Sequence, residues 1–284
     1  MASLNGKLAI ITGGSRGIGA AIARHLGQMG ASLLLCYTSP SSEEAIKSLG
    51  ADLREKHHIR CESVQADLAT PQAAAKQIIS AAKMHYGDAN GNLVVDILIN
   101  NAGIGGNYEI GEIPEQAFHD QYAVNVLAPL MMTQECKPFL PHDRSGRIIN
   151  LSSVSSSLGF VGQTIYGGTK AALEAMTRTW ARELAERATV NAVSPGPVEG
   201  DMYYAAGEGF WKQMESWHSN MPLAAIREGV DDPTLVKLSK EKMGGRRPGY
   251  AHEVAGIVGI LCLKDAGFCT GSVVCANGGF RFST

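Results

Sequence analysis

The sequence predicts a doubly wound α/β protein, a parallel seven-stranded sheet with helices on both faces. Three observations point there. Short β-branched or apolar runs alternate with amphipathic stretches of helical length, a glycine-rich turn follows the first run, and no linker-like or repeated segment divides the chain. Strands are expected at Leu8–Thr12, Leu33–Tyr37, Cys61–Ala66, Val94–Asn100, Arg147–Leu151, Thr189–Val193 and Ser272–Ala276. Helices are expected at Gly17–Met29, Ser42–His57, Pro71–Tyr86, Pro114–Phe139, Thr164–Arg187 and Tyr250–Lys264. The simplest organisation is one domain over residues 1–284. Its rhythm breaks only at 200–247, where an aromatic-rich and then charged stretch intervenes as a lid or insertion.

A hydrophobic content of 45% over 284 residues is enough to build a substantial core. Lys and Arg total 25 against 27 Asp and Glu, a net charge of −2, which lacks the positive field that nucleic acid or an anionic membrane requires. A small neutral partner fits better. Met1–Lys7 is polar and precedes an apolar run too short for a signal peptide or a membrane span, so a cytoplasmic location is the default expectation. The six cysteines form no C-x-x-C pair and sit in apolar segments, which suits buried thiols. The eight histidines show no ligand spacing, and no metal site is expected.

The run Thr12-Gly13-Gly14-Ser15-Arg16-Gly17-Ile18-Gly19 lies between the first strand and the first helix. There a phosphate can approach backbone N–H groups and the positive end of the helix dipole, and a Cβ would hold it away. Gly13, Ser15, Arg16, Gly17, Ile18 and Gly19 are the candidate phosphate contacts. A tight turn without a ligand is the plain alternative. Gly13-x-Ser15-x-Gly17 also satisfies the nucleophile-elbow pattern of α/β-hydrolases, but those enzymes have several strands before the elbow and this serine follows the first.

A carboxylate about 20 residues beyond the glycines would hold a ribose 2′-hydroxyl and repel a 2′-phosphate. Tyr37-Thr38-Ser39 stands there instead. Glu43 and Glu44 follow, but Ser41-x-x-Glu44 reads as a capping box that gives them a structural task. With Arg16 available as a phosphate fork, NADP(H) is favoured over NAD(H).

Tyr166 and Lys170 are four residues apart and share a face if their segment is helical. A free tyrosine titrates near ~10, and bringing it to ~7 takes about 4 kcal/mol of phenolate stabilisation, which an adjacent ammonium can supply. Tyr166 would then serve in acid–base chemistry.

Over nearly its whole length the chain resembles the short-chain dehydrogenase/reductase family in its compact single-domain form. Four motifs carry the resemblance: the turn Thr12–Gly19, Asn100-Asn101-Ala102-Gly103, Tyr166-x-x-x-Lys170, and Ser153 thirteen residues before Tyr166. It implies a Rossmann-like fold and the interconversion of a ketone and a secondary alcohol. It further implies that Tyr166 protonates the forming alkoxide, Ser153 donates a hydrogen bond to the same oxygen, and Lys170 holds the nicotinamide ribose. Asn125 matches the helix asparagine that fixes a water beside Lys170. By the same resemblance Asp67 and Leu68 flank the adenine, Asn101, Ala102 and Gly103 line the adenosine side, and Pro195, Gly196 and Val198 shield the nicotinamide. A homotetramer or dimer through Pro114–Phe139 and Thr164–Arg187 is implied too. The chain departs from the pattern at Gly200-Asp201, where a threonine is usual, at Asn277-Gly278-Gly279, and in roughly twenty extra residues between Met221 and Arg246.

The remaining alternative, a dinucleotide-binding sensor without turnover, predicts damaged chemistry, yet Asn125, Ser153, Tyr166 and Lys170 are all in register. Ser155 is a possible substrate contact. Phe210, Met214, Trp217 and Met221 form one apolar helical stripe, and Val230–Arg247 reads as a solvated excursion. The crowding of Met202, Tyr203, Tyr204, Phe210, Trp211, Met214 and Trp217 suggests a mobile lid over a bulky, largely apolar ketone, with Met202, Phe210 and Trp211 touching it.

Overall fold

The computed structural model describes residues 3–282. Seven parallel strands form one sheet: β1 Leu8–Ile11, β2 Ser32–Tyr37, β3 Cys61–Gln65, β4 Ile97–Asn100, β5 Gly146–Leu151, β6 Ala188–Pro195 and β7 Val273–Ala276. Their spatial order is β3-β2-β1-β4-β5-β6-β7. Ala9 stands opposite both Leu33 and Ile97, and Asn100 opposite Asn150, so the ends of β1, β4 and β5 come level. The order reverses between β1 and β4, which opens a crevice at the carboxyl ends of those strands.

Both faces of the inner strands are buried, and their successive side chains feed opposite cores. Leu8, Ile10, Leu34 and Cys36 enter one, and Ala9, Ile11, Leu33 and Leu35 the other. Helices α1 (Gly17–Gln28), α2 (Glu43–His57) and α10 (Ala251–Cys262) cover the second core. Helices α3 (Pro71–Tyr86), α5 (Ala128–Cys136) and α6 (Thr164–Glu183) cover the first.

Three expectations are corrected. The helix foreseen over Pro114–Phe139 is broken: α4 (Glu115–Tyr122) passes through a π-helical turn at Ala123–Leu127 into α5, followed by a 3-10 turn at Lys137–Phe139. The capping box at Ser41 and Glu44 does not form. The residue before α2 is Ser42, with no side-chain cap, and Ser39 Oγ instead accepts from the Ser41 N–H at 3.2 Å. Glu43 and Glu44 still stand in the first turn of α2, where negative charge suits the dipole.

The third correction concerns Val230–Arg247, which is solvated on one side only. It carries α9 (Pro233–Lys242), capped by Asp232 Oδ1, which accepts from the Leu235 N–H at 2.9 Å. It also carries a buried charge cluster. Arg247 is only 4% exposed and donates to Glu253 Oε1 at 2.9 Å, with Asp231 Oδ1 3.5 Å from its Nε. Asp231 in turn accepts from Arg227 at 2.8 Å. The insertion is thereby tied to the start of α10. The preceding lid segment consists of α7 (Asp201–Ala205) and α8 (Gly207–Ser219). Among the described residues no helix is long and apolar enough to cross a membrane.

Candidate active site

The turn after β1 is held open by β4. Thr12 Oγ1 accepts from the N–H groups of Asn101 and Ala102 at 3.0 and 3.1 Å, while Asn101 Nδ2 donates to the carbonyls of Thr12 and Gly13 at 2.9 and 3.0 Å. Gly13 and Gly17 have φ of +64° and +53°, where a side chain is strained. A Cβ at Gly19 would stand 2.1 Å from the Gly13 carbonyl oxygen, so only glycine lets α1 start this close to the turn. Gly17 faces open space, and the first turn of α1 has neither a side-chain cap nor an acid. Bare N–H groups at a helix start beside a crevice fit a dinucleotide's pyrophosphate.

At the end of β2 Tyr37 is buried and Thr38 and Ser39 are exposed. Thr38 Oγ1 donates to the Ala66 carbonyl at 3.3 Å, and Glu43 pairs with Lys47 at 2.5 Å. Arg16, 74% exposed at its side chain, meets Asp201 at 3.0 Å, a surface pair loose enough for the guanidinium to turn to a phosphate. Past β3, Leu68 is buried and Asp67 is exposed, its Oδ1 accepting from the Ala69 N–H at 3.0 Å. Ser15 and Ile18 are half-buried on the turn. Among the described residues no histidine or carboxylate hydrogen-bonds to Ser15, so the arrangement that a hydrolase elbow needs is not built around it.

On the far side, β6 ends at Pro195. Gly196 lies against Asn277, which a Cβ would approach to 3.2 Å. Val198 bridges Gly249, where the Gly249 N–H donates to the Pro197 carbonyl at 2.8 Å. These residues and Gly103 bound the crevice opposite the glycine turn.

Between them lies the polar centre. The π turn carries Asn125, fully buried. Its Oδ1 accepts from the Ile104 N–H at 2.9 Å, and its Nδ2 donates to the Ile104 carbonyl at 2.8 Å and to Thr169 Oγ1 at 3.1 Å. Both side-chain donors are therefore committed to fixing the turn after Gly103. On α6, Lys170 Nζ donates to the Leu151 carbonyl at 2.8 Å and lies 5.6 Å from the Tyr166 ring centre. A Cβ on Gly103 would come within 3.4 Å of Nζ and 3.3 Å of Asn125 Oδ1. Asn125, Lys170 and Gly103 thus converge. A Cβ at Gly167 would stand 2.6 Å from the Ser155 carbonyl, so α6 packs directly on the serine turn that follows β5.

The ionisation of the pair differs from the expectation. Burial lowers Lys170 to about 8. Burial raises Tyr166, and the hydrogen bond with Ser153 opposes it. The ammonium is aimed at the Leu151 carbonyl rather than at the phenol, so it does not pull Tyr166 toward neutrality here. Tyr166 is kept protonated, which is the form that can deliver a proton to a developing alkoxide.

The lid is only partly as foreseen. Met202 Sδ and Tyr166 Cδ2 both lie near Gly105, at 3.8 and 3.7 Å from where a Cβ on it would stand, so Met202 reaches the neighbourhood of the tyrosine. Phe210 lines a cavity of about 260 Å³ together with Asn107, Glu109, Glu112 and Gln213. Trp211 turns inward: it is 7% exposed, donates from Nε1 to the Tyr203 carbonyl at 3.0 Å, and packs with Met243. Met214 and Met221 pack on Val154 and Phe280, and Trp217 stacks on Phe280. Tyr203 and Trp211 therefore serve the lid's own packing, while Met214, Met221 and Trp217 fasten it to the domain. Sequence reasoning missed Thr12 and Thr169, whose roles depend on neighbours remote in the chain, and Gln163, whose only signal was its position three residues before Tyr166.

A dinucleotide crevice at the strand switch point, with a buried tyrosine–lysine pair beside it, defines an oxidoreductase of carbonyl and alcohol groups. The chain belongs to the short-chain dehydrogenases, whose family model matches residues 7–209. It is 56% identical to an L-xylulose reductase of Aspergillus niger, with 99% of each chain covered. It is 51% identical to an L-xylo-3-hexulose reductase of Hypocrea jecorina, covering 98% of this chain and 97% of that one. A blue fluorescent protein from a metagenomic library, solved with NADPH, superposes with a TM-score of 0.81 at 34% identity, covering 99% of this chain and 100% of that one.

Proposed function

We propose that this chain is an NADP(H)-dependent reductase of polyhydroxy ketones, open-chain ketoses of five or six carbons. The observation that carries the substrate class is the mostly polar cavity between the lid residue Phe210 and the Asn107–Glu112 segment. Asn107, Glu109, Glu112 and Gln213 line it together with Phe210, Val161 and Ala206, whereas Trp211 and Tyr203 spend their apolar surface inside the lid. That distribution favours hydroxyl-rich ligands and removes the main argument for a bulky apolar ketone. The ketose reductases among its relatives support the same reading.

The cofactor is NADP(H). The β2 end carries Tyr37, Thr38 and Ser39 without a carboxylate, Arg16 is free to pair with a 2′-phosphate, and a relative of the same fold was solved with NADPH. When bound, the dinucleotide supplies or accepts the hydride. The turn Gly13–Gly19 offers N–H groups to its phosphates. Asp67, Leu68, Asn101, Ala102 and Gly103 border the adenosine side, and Pro195, Gly196 and Val198 the nicotinamide side. Ser153 donates a hydrogen bond to the carbonyl oxygen and polarises it. Tyr166, held protonated by burial, delivers its proton to that oxygen, the Ser153 hydrogen bond favours the phenolate left behind, and Lys170 is placed to hold the nicotinamide ribose. Asn125 keeps the turn beside Lys170 in place. Met202 and Phe210 border the substrate, and Trp211 supports them from within.

Residues 1–284 form one catalytic domain with 200–247 as its lid. Exposed Phe118 and Leu127, along α4 and the π turn, favour a homo-oligomer, dimer or tetramer. The test of function is loss of NADPH absorbance with L-xylulose, a ketohexose and an aromatic ketone such as acetophenone. The ketoses are expected to give the higher kcat/KM. A preference for acetophenone would restore the apolar substrate, and no turnover of any ketone would reject the reductase.

A further inference from the structure

We propose that Gln163, acting through Ser155, recognises a hydroxyl on the carbon next to the reacting carbonyl and so sets the preference for hydroxyketones over simple ketones. This rests on the reading that the carbonyl oxygen lies between Ser153 and Tyr166. The argument starts from the direction of the protons in one hydrogen-bonded chain.

Gln163 Nε2 donates to Asn107 Oδ1 at 3.3 Å, which orients the amide so that Oε1 faces the serine turn. Ser155 Oγ donates its only proton to that oxygen at 2.6 Å. Ser155 is therefore left as an acceptor, and Ser153 Oγ donates to it at 3.2 Å. The first bond is short and committed, the second long and easily exchanged. The frame is fixed by main chain: Gln163 directly precedes α6, its N–H donates to the Phe160 carbonyl at 3.2 Å, and Tyr108 and Gln163 form a strand-like bridge.

When Ser153 turns its proton to the carbonyl oxygen, Ser155 Oγ loses its donor while Gln163 still prevents it from donating elsewhere. An unfilled acceptor then stands next to the reacting oxygen. In an α-hydroxyketone the two oxygens lie about one hydrogen-bond length apart, which matches the spacing of the two serine hydroxyls, so the neighbouring hydroxyl donates into Ser155. A simple ketone leaves that half-buried acceptor unpaired. Sites built to pair a substrate hydroxyl discriminate strongly against analogues lacking it. Leucine at 163 releases the Ser155 proton, and the discrimination goes with it.

The experiment compares kcat/KM for 3-hydroxybutan-2-one and butan-2-one, with NADPH, in wild type, Gln163→Leu, Gln163→Glu and Ser155→Ala. NADPH affinity and melting temperature are measured alongside to identify folded variants. Wild type is expected to favour the hydroxyketone. Gln163→Leu and Ser155→Ala are expected to lower the ratio of the two kcat/KM values by about tenfold, mostly through the hydroxyketone KM, the size expected of one lost hydrogen bond in a partly dry site. Gln163→Glu keeps the acceptor for Ser155 and is expected to hold the ratio within roughly threefold of wild type. A ratio unchanged in folded Gln163→Leu or Ser155→Ala overturns the assignment, as does a loss in Gln163→Glu equal to that in Gln163→Leu. Wild type that turns over neither ketone nor any ketose overturns the reductase reading, and this assignment with it.

Discussion

His218, near the end of α8, makes the lid sensitive to acid. It is 2% exposed, faces the rings of Tyr203 and Phe280, and its Nε2 has no hydrogen-bond partner. Burial alone lowers its pKa from 6.5 to about 4. Between those values the unfolded chain holds a proton that the folded chain refuses, so stability falls as the pH drops below 6.5, levels off below about 4, and is unaffected above. The full loss is about 3 kcal/mol, and at pH 5 it is about 2 kcal/mol. For a chain of this size that is a melting-point drop of roughly 5 °C. The assay is thermal unfolding of wild type and His218→Phe at pH 8 and pH 5, followed by tryptophan fluorescence, since Trp211 and Trp217 lie in α8. The phenylalanine variant is expected to lose about 2 kcal/mol less on acidification. Identical losses in the two proteins would refute the reasoning, because every other titrating group is common to both.

Tyr166→Phe is expected to abolish turnover while leaving NADPH affinity nearly intact, because only the proton donor is removed; equilibrium binding and single-turnover rates check the two halves. NADPH is expected to exceed NADH by at least about tenfold in kcat/KM, about 1.4 kcal/mol, and Arg16→Ala to erode that preference, measured by steady-state kinetics with both cofactors. Arg247→Met strips Asp231, almost wholly buried, of one of its two cationic partners and is expected to cost about 3 kcal/mol in urea unfolding. Lys170, lowered to about 8 and needed as a cation, predicts that ketone reduction declines as the pH rises through about 8, which a pH–rate profile in the absence of added salt would follow.

The sheet was legible because each inner strand is a short run buried on both faces, as in Leu33–Tyr37, and because Gly19 of the first turn occupies a position that excludes a Cβ. That Tyr166 and Lys170 share one helix was legible through their spacing. Their electrostatics were not, since Lys170 is aimed by the Leu151 carbonyl, which nothing in the spacing reveals. The charged tract before α10 misled for a related reason. Asp231 and Arg247 stand sixteen residues apart and read singly as solvated, yet the fold buries them together, with Glu253 pairing to Arg247 from the surface. The lid's apolar stripe was correctly seen as a stripe, but periodicity names a face and not its partner. Phe210, Met214 and Met221 pack with Val154 and Phe280, and Trp217 stacks on Phe280.

The π turn at Ala123–Leu127 allows a test that separates folding from the activity proposed for Asn125. A π turn closes its hydrogen bonds over one residue more than an α turn, so it acts as a single-residue insertion in an otherwise continuous helix. Removing one residue, Val126 for instance, would let the hydrogen bonding of α4 run unbroken into α5 while both keep the faces they now bury. The shortened protein should therefore melt close to the parent. The turn carrying Asn125 would be lost with the extra residue, and with it the contacts to Ile104 and Thr169 that border Lys170. A deletion that leaves the melting curve in place and silences turnover would show that this one residue was inserted for chemistry; a collapse of both would show that the helix needs it to pack.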